Sequence, residues 1–242
     1  MHELLNDPTR LNICSYQEFE PIIYGQGQGF EADILRAVAH LWNVDIVFHS
    51  QKIYENIWEM PEKLHFDLAA GGITPQKDRK EHAIYSTPTA FYSQSLLIRN
   101  KDYREGRVIG YESFKNNNLV IGVVKKSAGE KFGHLRAREC GLKIDIFKQY
   151  TSESELLPAL INEEIAAIAR GDIGNEYQAS LNKKLITIAK KNYDEKICFA
   201  VDPNRQEFLI ELNKAINIVT MSGELTYNEW RKNKEIFNKS FD

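Results

Sequence analysis

Short apolar runs alternate with amphipathic helical patterns twice over in this chain, and that alternation limits the fold to the α/β class with largely parallel strands. The first series reads as a strand at Leu11–Cys14, a helix at Glu31–Trp42, a strand at Val44–Phe48, a short helix at Ile53–Leu64 and strands at Phe66–Ala70 and Ser95–Arg99. In its long helix Ile34, Leu35, Val38, Leu41 and Trp42 fall on one face at the spacing of a helical turn. The second series opens on the continuous apolar strand Leu119–Val124. A helix from Ser127 to near Gly141, a strand at Ile144–Phe147, a helix after Ser152, and strands at Ile165–Ala169, Leu185–Ile188 and Ile197–Val201 follow. The C-terminal stretch is helical, with Phe208, Leu212, Ile216 and Val219 ahead of Gly223, and then Leu225, Trp230 and Phe237. No linker rich in proline, glycine or serine separates the two series. The pattern predicts two similar units joined by the strands near Ser95 and Ile197, with a cleft between lobes.

Two helix starts are spelled out locally. Ser127-Ala128-Gly129-Glu130 is a capping box, in which Ser127 accepts from the Glu130 amide while Glu130 reaches back to the Ser127 amide, and Phe132 and Leu135 supply the apolar face. Ser152 with Glu155 forms a second, ahead of Leu156, Leu157, Leu160 and Ile161.

Composition removes several function classes. The chain has 242 residues, 43% hydrophobic and 27% charged, which is ordinary for a soluble globular protein of one large or two small domains. No apolar run has the length of a membrane span. A net charge of -3 lacks the basic footprint of nucleic-acid binding, and the pairs Lys125-Lys126, Lys183-Lys184 and Lys190-Lys191 read as solvated surface. Cys14, Cys140 and Cys198 have no metal-ligand spacing, nor do the histidines, so no metal or other cofactor is expected. Cys14 and Cys198 sit in apolar segments as small buried side chains. The polar residues Met1 to Arg10 carry no signal peptide, so either the protein is cytosolic or its targeting segment has been removed.

The stretch Phe66 to Arg79, Phe-Asp-Leu-Ala-Ala-Gly-Gly-Ile-Thr-Pro-Gln-Lys-Asp-Arg, carries the chemistry. Gly71 and Gly72 leave backbone uncovered for close approach, Thr74 adds a hydroxyl, and Arg79 a planar fork of donors that matches a carboxylate. The same residues also suit a plain strand-to-helix turn, with Thr74 as N-cap, Pro75 at the first helical position and Arg79 a solvated charge.

Taken in order, Gly29-Phe30-Glu31-Ala32-Asp33, Phe66-Asp67 before Gly72-Ile73-Thr74 and Arg79, and Ala83-Ile84-Tyr85-Ser86-Thr87-Pro88 resemble the bacterial extracellular solute-binding proteins of the polar amino acid class, family 3. The likeness continues through Gly122 to Gly129, the Tyr177 segment, Ser222-Gly223-Glu224-Leu225 and Trp230. It implies a two-lobe periplasmic-binding-protein fold of type II with two crossing hinge strands, which closes on its ligand between the lobes. Lobe 1 would take residues 1–97 with 197–242, and lobe 2 residues 98–196. It further implies a substrate-binding protein that delivers a small amino acid or related carboxylate to a membrane ABC permease, as a monomer in the periplasm or anchored outside the cell.

By the resemblance, Arg79 grips the ligand's carboxylate with help from Thr74 and the backbone of Gly72, and Ser127 and Ala128 offer amides at a helix start. Lys126 stands where the family usually has glycine, and the charge of Glu130 opposes an anion unless the cap occupies it. Phe19 and Tyr54 would wall the ligand, with ordinary core packing as the alternative for each. Tyr16 falls where members that bind polar or basic side chains often carry aspartate; its phenol can make one hydrogen bond but cannot neutralise a cation, which leaves Glu18 as a cation partner. The aspartate that meets the amino group aligns without gaps at Gly171, so Asp172 serves only if the turn is shorter; otherwise the ligand lacks a free α-amino group, or Arg170 faces the ligand and takes an additional acid. A dehydratase of the cyclohexadienyl or arogenate type resembles the same fold and would need a general acid or base, for which Glu18 is the obvious candidate. A ligand-sensing module is the third reading.

Overall fold

The computed structural model describes residues 1–115 and 118–233. Its strands, in chain order, are Arg10–Tyr16 (β1), Glu18–Phe19 (β2), Ile23–Tyr24 (β3), Asp45–Gln51 (β4), Leu68–Ala70 (β5), Ile84–Tyr85 (β6), Ala90–Arg99 (β7), Ile121–Val124 (β8), Phe147–Tyr150 (β9), Ala167–Gly171 (β10), Leu185–Ile197 (β11) and Ala200–Val201 (β12). Its helices are Phe30–Trp42 (α1), Met60–Leu64 (α2), Asn100–Arg104 (α3), Ala128–Glu139 (α4), Glu153–Ile161 (α5), Asp172–Leu181 (α6), Gln206–Thr220 (α7) and Tyr227–Lys232 (α8). Residues 1–91 with 196–242 form one unit and 92–195 the other, so the chain leaves unit 1 inside β7 and returns inside β11.

Unit 1 is built on a sheet of order β4-β1-β5-β12-β6. β4, β1 and β5 are parallel, with Ser15 level with both Ser50 and Ala70, so their carboxyl ends share one edge. β12 closes the sheet antiparallel to β5 and β6. α1 buries Ile34, Leu35 and Val38 as its spacing predicts, but Leu41 is 45% exposed and the helix turns Trp42 edge-on to Phe208 of α7 instead. Trp230 of α8 packs edge-on against Phe30 and donates its indole N–H to Asp33 at 2.8 Å. The expected contribution of Phe237 lies outside the described residues. α7 begins at Gln206, and Asp202 ahead of it closes a turn by accepting from the Asn204 amide at 2.8 Å.

Unit 2 carries the sheet β11-β7-β10-β8-β9, with β8 parallel to β9 and β10, and β7 antiparallel to β10. α4 departs from its predicted face. Leu135 is exposed, and the buried positions are Ala128, Gly129, Gly133 and Ala137. A Cβ on Gly129 would stand 2.5 Å from the carbonyl oxygen of Ala169, so small residues let α4 lie directly on β10. The strand expected at Ile144–Phe147 starts only at Phe147, because Ile144–Ile146 forms a turn of 3₁₀ helix. The two strands expected after Leu185 are one long β11 followed by the short β12.

Asp67, buried at the foot of β5, ties unit 1 together. Its carboxylate accepts the amides of Asn6 at 2.9 Å and Asn12 at 2.8 Å and pairs with Arg205 at 3.1 Å. Removing it strands two amides and a guanidinium at once. Asp67→Ala should therefore lower the unfolding free energy by about 2–4 kcal/mol, read as a lower urea midpoint.

Candidate functional site

The shared carboxyl edge of β4, β1 and β5 gathers most of the predicted site in unit 1. Tyr16 ends β1, Gly71 follows β5, and Tyr54 and Trp58 follow β4. Parallel sheets present ligands at this edge because the loops leave it unpaired. Gly71 has φ 154° and Gly72 φ 65°. A Cβ on Gly72 would lie 2.3 Å from the ring of Phe19, so Phe19 covers the turn closely and only glycine fits beneath it.

The amides of that turn are already engaged. Glu31, fully buried on α1, accepts from Gly71 N at 2.9 Å and Gly72 N at 3.0 Å through one oxygen, Oε2. Burial pushes the Glu31 carboxyl up to about 7, against the opposing pull of those two amides. Its other oxygen, Oε1, has no hydrogen-bond partner among the described residues. Gly72 thus shapes the turn, with its own N–H given to Glu31.

Arg79 is neither a solvated charge nor an open fork. It is 1% exposed, its Nη1 donates to the Thr74 carbonyl at 2.9 Å, and its guanidinium lies 3.8 Å from the centre of the Trp58 ring and 5.9 Å from that of Tyr54. The helix-turn alternative fails with it: the 3₁₀ turn at Lys77–Arg79 starts after Gln76, and neither Thr74 nor Pro75 belongs to it. Tyr54 meets Tyr16 edge-on at 5.2 Å and Trp58 at 6.2 Å, which makes a continuous aromatic support for the cation. The Arg79 amide donates to the Gln76 carbonyl at 3.2 Å, and the Arg79 charge acts on Tyr85. The Gln76 Nε2 and the Tyr85 hydroxyl are buried and have no hydrogen-bond partner among the described residues. Burial pushes the Tyr85 phenol up while the charge of Arg79 opposes it. Glu18 lies half-buried on β2 beside Phe19.

The carboxyl ends of β8, β9 and β10 gather the predicted residues of unit 2. Ser127 caps α4, accepting from Glu130 N at 3.1 Å, and Ala128 opens the helix. The return half of the box shifts by one residue: Glu130 takes the amide of Lys126 at 2.7 Å, because Ser127 N is spent on Val124 O at 3.1 Å. Glu130 also accepts from Gln149, so its carboxylate is occupied. Lys126 adopts φ 56°, the left-handed region that favours the glycine usual at this position. The Ser152 box does not form; Glu155 accepts from Thr151 at 2.6 Å instead.

Arg170 does not reach for an additional acid. Its Nε donates to Asn175 Oδ1 at 2.8 Å, its Nη1 pairs with Glu153 at 2.6 Å and its Nη2 donates to Gly174 O at 3.1 Å. Gly171 caps α6 and Asp172 opens it, with Asp172 accepting from Ser93 N at 3.0 Å and facing Lys190 at 3.8 Å. Sequence reading also passed over Glu195, buried on β11 and holding Gln94 at 2.7 Å; burial pushes its carboxyl up to about 7. Trp58 and Glu31 give no local signal beyond residue type, since each acts on a partner distant in sequence. Among the described residues no cluster of histidine, cysteine, aspartate or glutamate could hold a metal ion, and no helix is long and apolar enough to cross a membrane.

Two predictions follow from these contacts. A carboxyl whose folded pKa is raised above its unfolded value costs stability once it ionises, so Glu31 and Glu195 together make the fold more stable near pH 5 than near pH 8, losing ground as pH rises through about 7. Glu31→Gln keeps an acceptor for both glycine amides and should flatten that slope, seen as a smaller difference in Tm between pH 5 and pH 8. Lys126→Gly should raise stability by about 0.5–1 kcal/mol by relieving the left-handed backbone, measured by denaturant titration.

Comparison with known proteins gives concordant matches. Residues 11–233 match the model of the family "Bacterial extracellular solute-binding proteins, family 3". The chain is 27% identical over 218 residues to an arginine-binding periplasmic protein of Mannheimia haemolytica, covering 87% of this chain and 84% of the relative. Among solved structures, an amino acid ABC transporter substrate-binding protein from Streptococcus pneumoniae bound to L-arginine superposes with a TM-score of 0.80 at 17% identity, over 93% of both chains. An ancestral amino acid-binding protein, a precursor of cyclohexadienyl dehydratase, superposes with a TM-score of 0.77 at 18% identity, over 96% of both.

Proposed function

We propose that this chain, which belongs to the bacterial extracellular solute-binding proteins, family 3, captures an α-amino acid in the bacterial envelope as a monomer and presents it to a membrane ABC permease. The observation that carries the reading is the neighbourhood of Arg79 in unit 1. A guanidinium propped on Trp58 acts on the nearby Tyr85 phenol, and the Tyr85 hydroxyl and the Gln76 Nε2 are buried with no hydrogen-bond partner among the described residues. A carboxylate supplies the acceptors such donors require, and buried donors left unmet are costly. Thr74 then positions the arginine through its carbonyl.

Arginine is the first ligand to test. The relative from Mannheimia haemolytica is named for it, and Glu18, half-buried on β2, is the carboxylate assigned to a cationic side chain. A binding role is favoured over turnover because the relative and the solved structure reported above are named as binding proteins, the latter bound to L-arginine. The likeness to a precursor of cyclohexadienyl dehydratase keeps prephenate turnover as the control reaction.

Arg79→Lys keeps the charge and loses the planar fork, so calorimetry with L-arginine should show binding weakened by about 10- to 100-fold. Arg79→Ala should abolish measurable binding and lower Tm as well, since it empties the space over Trp58. An unchanged dissociation constant for Arg79→Lys would overturn the assignment, and formation of phenylpyruvate from prephenate would make the protein an enzyme.

A further inference from the structure

We propose a second ligand site, on unit 2, that takes a small organic dianion with an apolar body. A cavity of ≈ 820 Å³ opens where the end of β7 and α3 meet the C-terminal end of α5 and the start of β11. Its volume lies within the range of small-molecule sites. All of its lining belongs to unit 2, remote in sequence from the Arg79 neighbourhood of unit 1.

Charge in the wall is strongly one-sided. Arg99, Lys101, Arg104, Lys183 and Lys184 line it against Glu105 and Glu163, an excess of three positive charges in a chain whose net charge is -3. Lys101 is paired with Glu163. Arg104, Lys183 and Lys184 have no ion-pair partner among the described residues. The lysine pair that composition alone assigns to plain solvated surface is therefore one wall of a concave site.

The walls are held before any ligand arrives. Asn100 fixes the lysine pair from across the cavity, its amide donating to Lys184 O at 2.7 Å and its side chain to Lys183 O at 3.3 Å. Arg99 is nine-tenths buried and pins the end of α5 by donating to Leu160 O and to Ile165 O, the latter at 2.8 Å, while Asp102 holds its other terminal nitrogen at 2.6 Å. Its Nε–H is buried with no hydrogen-bond partner among the described residues. Ile161, 51% exposed, and Leu185 add an apolar surface between the cations. Inorganic anions gain nothing from that surface. A dicarboxylate on an aromatic or aliphatic body satisfies both features, with Arg104 supplying the fork and the lysines the point charges.

The test is titration of the intact protein with phthalate, benzoate and inorganic phosphate, followed by amide NMR and calorimetry. Phthalate should shift the resonances of Asn100 to Glu105 and Asn182 to Leu185, binding about tenfold more tightly than either benzoate or phosphate. The double variant Lys183→Gln with Lys184→Gln should weaken phthalate about tenfold while the Lys→Arg pair restores it, and L-arginine affinity should be the same in all three proteins. Shifts absent from those two segments, equal binding by the double glutamine variant, or phosphate binding as tightly as phthalate would each overturn the proposal. Failure here leaves the Arg79 reading untouched, because its ligand and its variants are different.

Discussion

The carboxylate of Glu31 is buried among apolar side chains, yet it holds the amides of both Gly71 and Gly72. That one group decides where the end of β5 turns, because the left-handed turn would otherwise bury two unmet N–H groups. Everything that follows the turn inherits its direction: Thr74, the 3₁₀ turn, and Arg79 laid back over Trp58. The protein accepts a desolvated carboxyl here, one oxygen of which has no hydrogen-bond partner among the described residues, so the end of β5 is fixed by a helix distant in sequence.

How much could be read from the sequence depended on the range of the contact. The alternation of strands and helices, the Ser127 half of its capping box and the Ile34, Leu35 and Val38 part of the α1 stripe are local patterns, and the structure has them. Leu135 was misplaced because helical periodicity shows which residues share a face, while the close approach of α4 to β10 is governed by Gly129 and Gly133. Arg170 has a different lesson. Its residue type suggested an acid-binding group, but Glu153 and Asn175 consume it, and neither is visible as a partner until β10, α5 and α6 are assembled. Arg79 was identified by its spacing from Gly72, whereas its aromatic support from Trp58 and Tyr54 comes from a different loop.

The two units solve the same problem with different chemistry. At the carboxyl edge of its sheet, unit 1 assembles aromatic rings around a buried cation. At the corresponding edge, unit 2 assembles ion pairs and capped helices, with Arg170, Asp172 and Glu130 each engaged by neighbours. Rings support a charge without neutralising it, whereas paired carboxylates cancel it. At this edge unit 1 therefore leaves a cation supported and not cancelled, and the corresponding residues of unit 2 are spent on keeping its loops in place.

The contacts of Arg205 set an order of assembly. Its guanidinium reaches Leu4 O, Phe66 O and Asp67, so the segments leading into β1 and β5 are tied down by a residue from late in the chain. Residues 92–195 are continuous in sequence and need nothing beyond themselves for their sheet. As the chain emerges from the ribosome, the middle unit can finish while the first waits half-built, its apolar β1 and β5 without their closing strand β12. Unit 1 is thus the late-folding half, and the half exposed to aggregation in the interval.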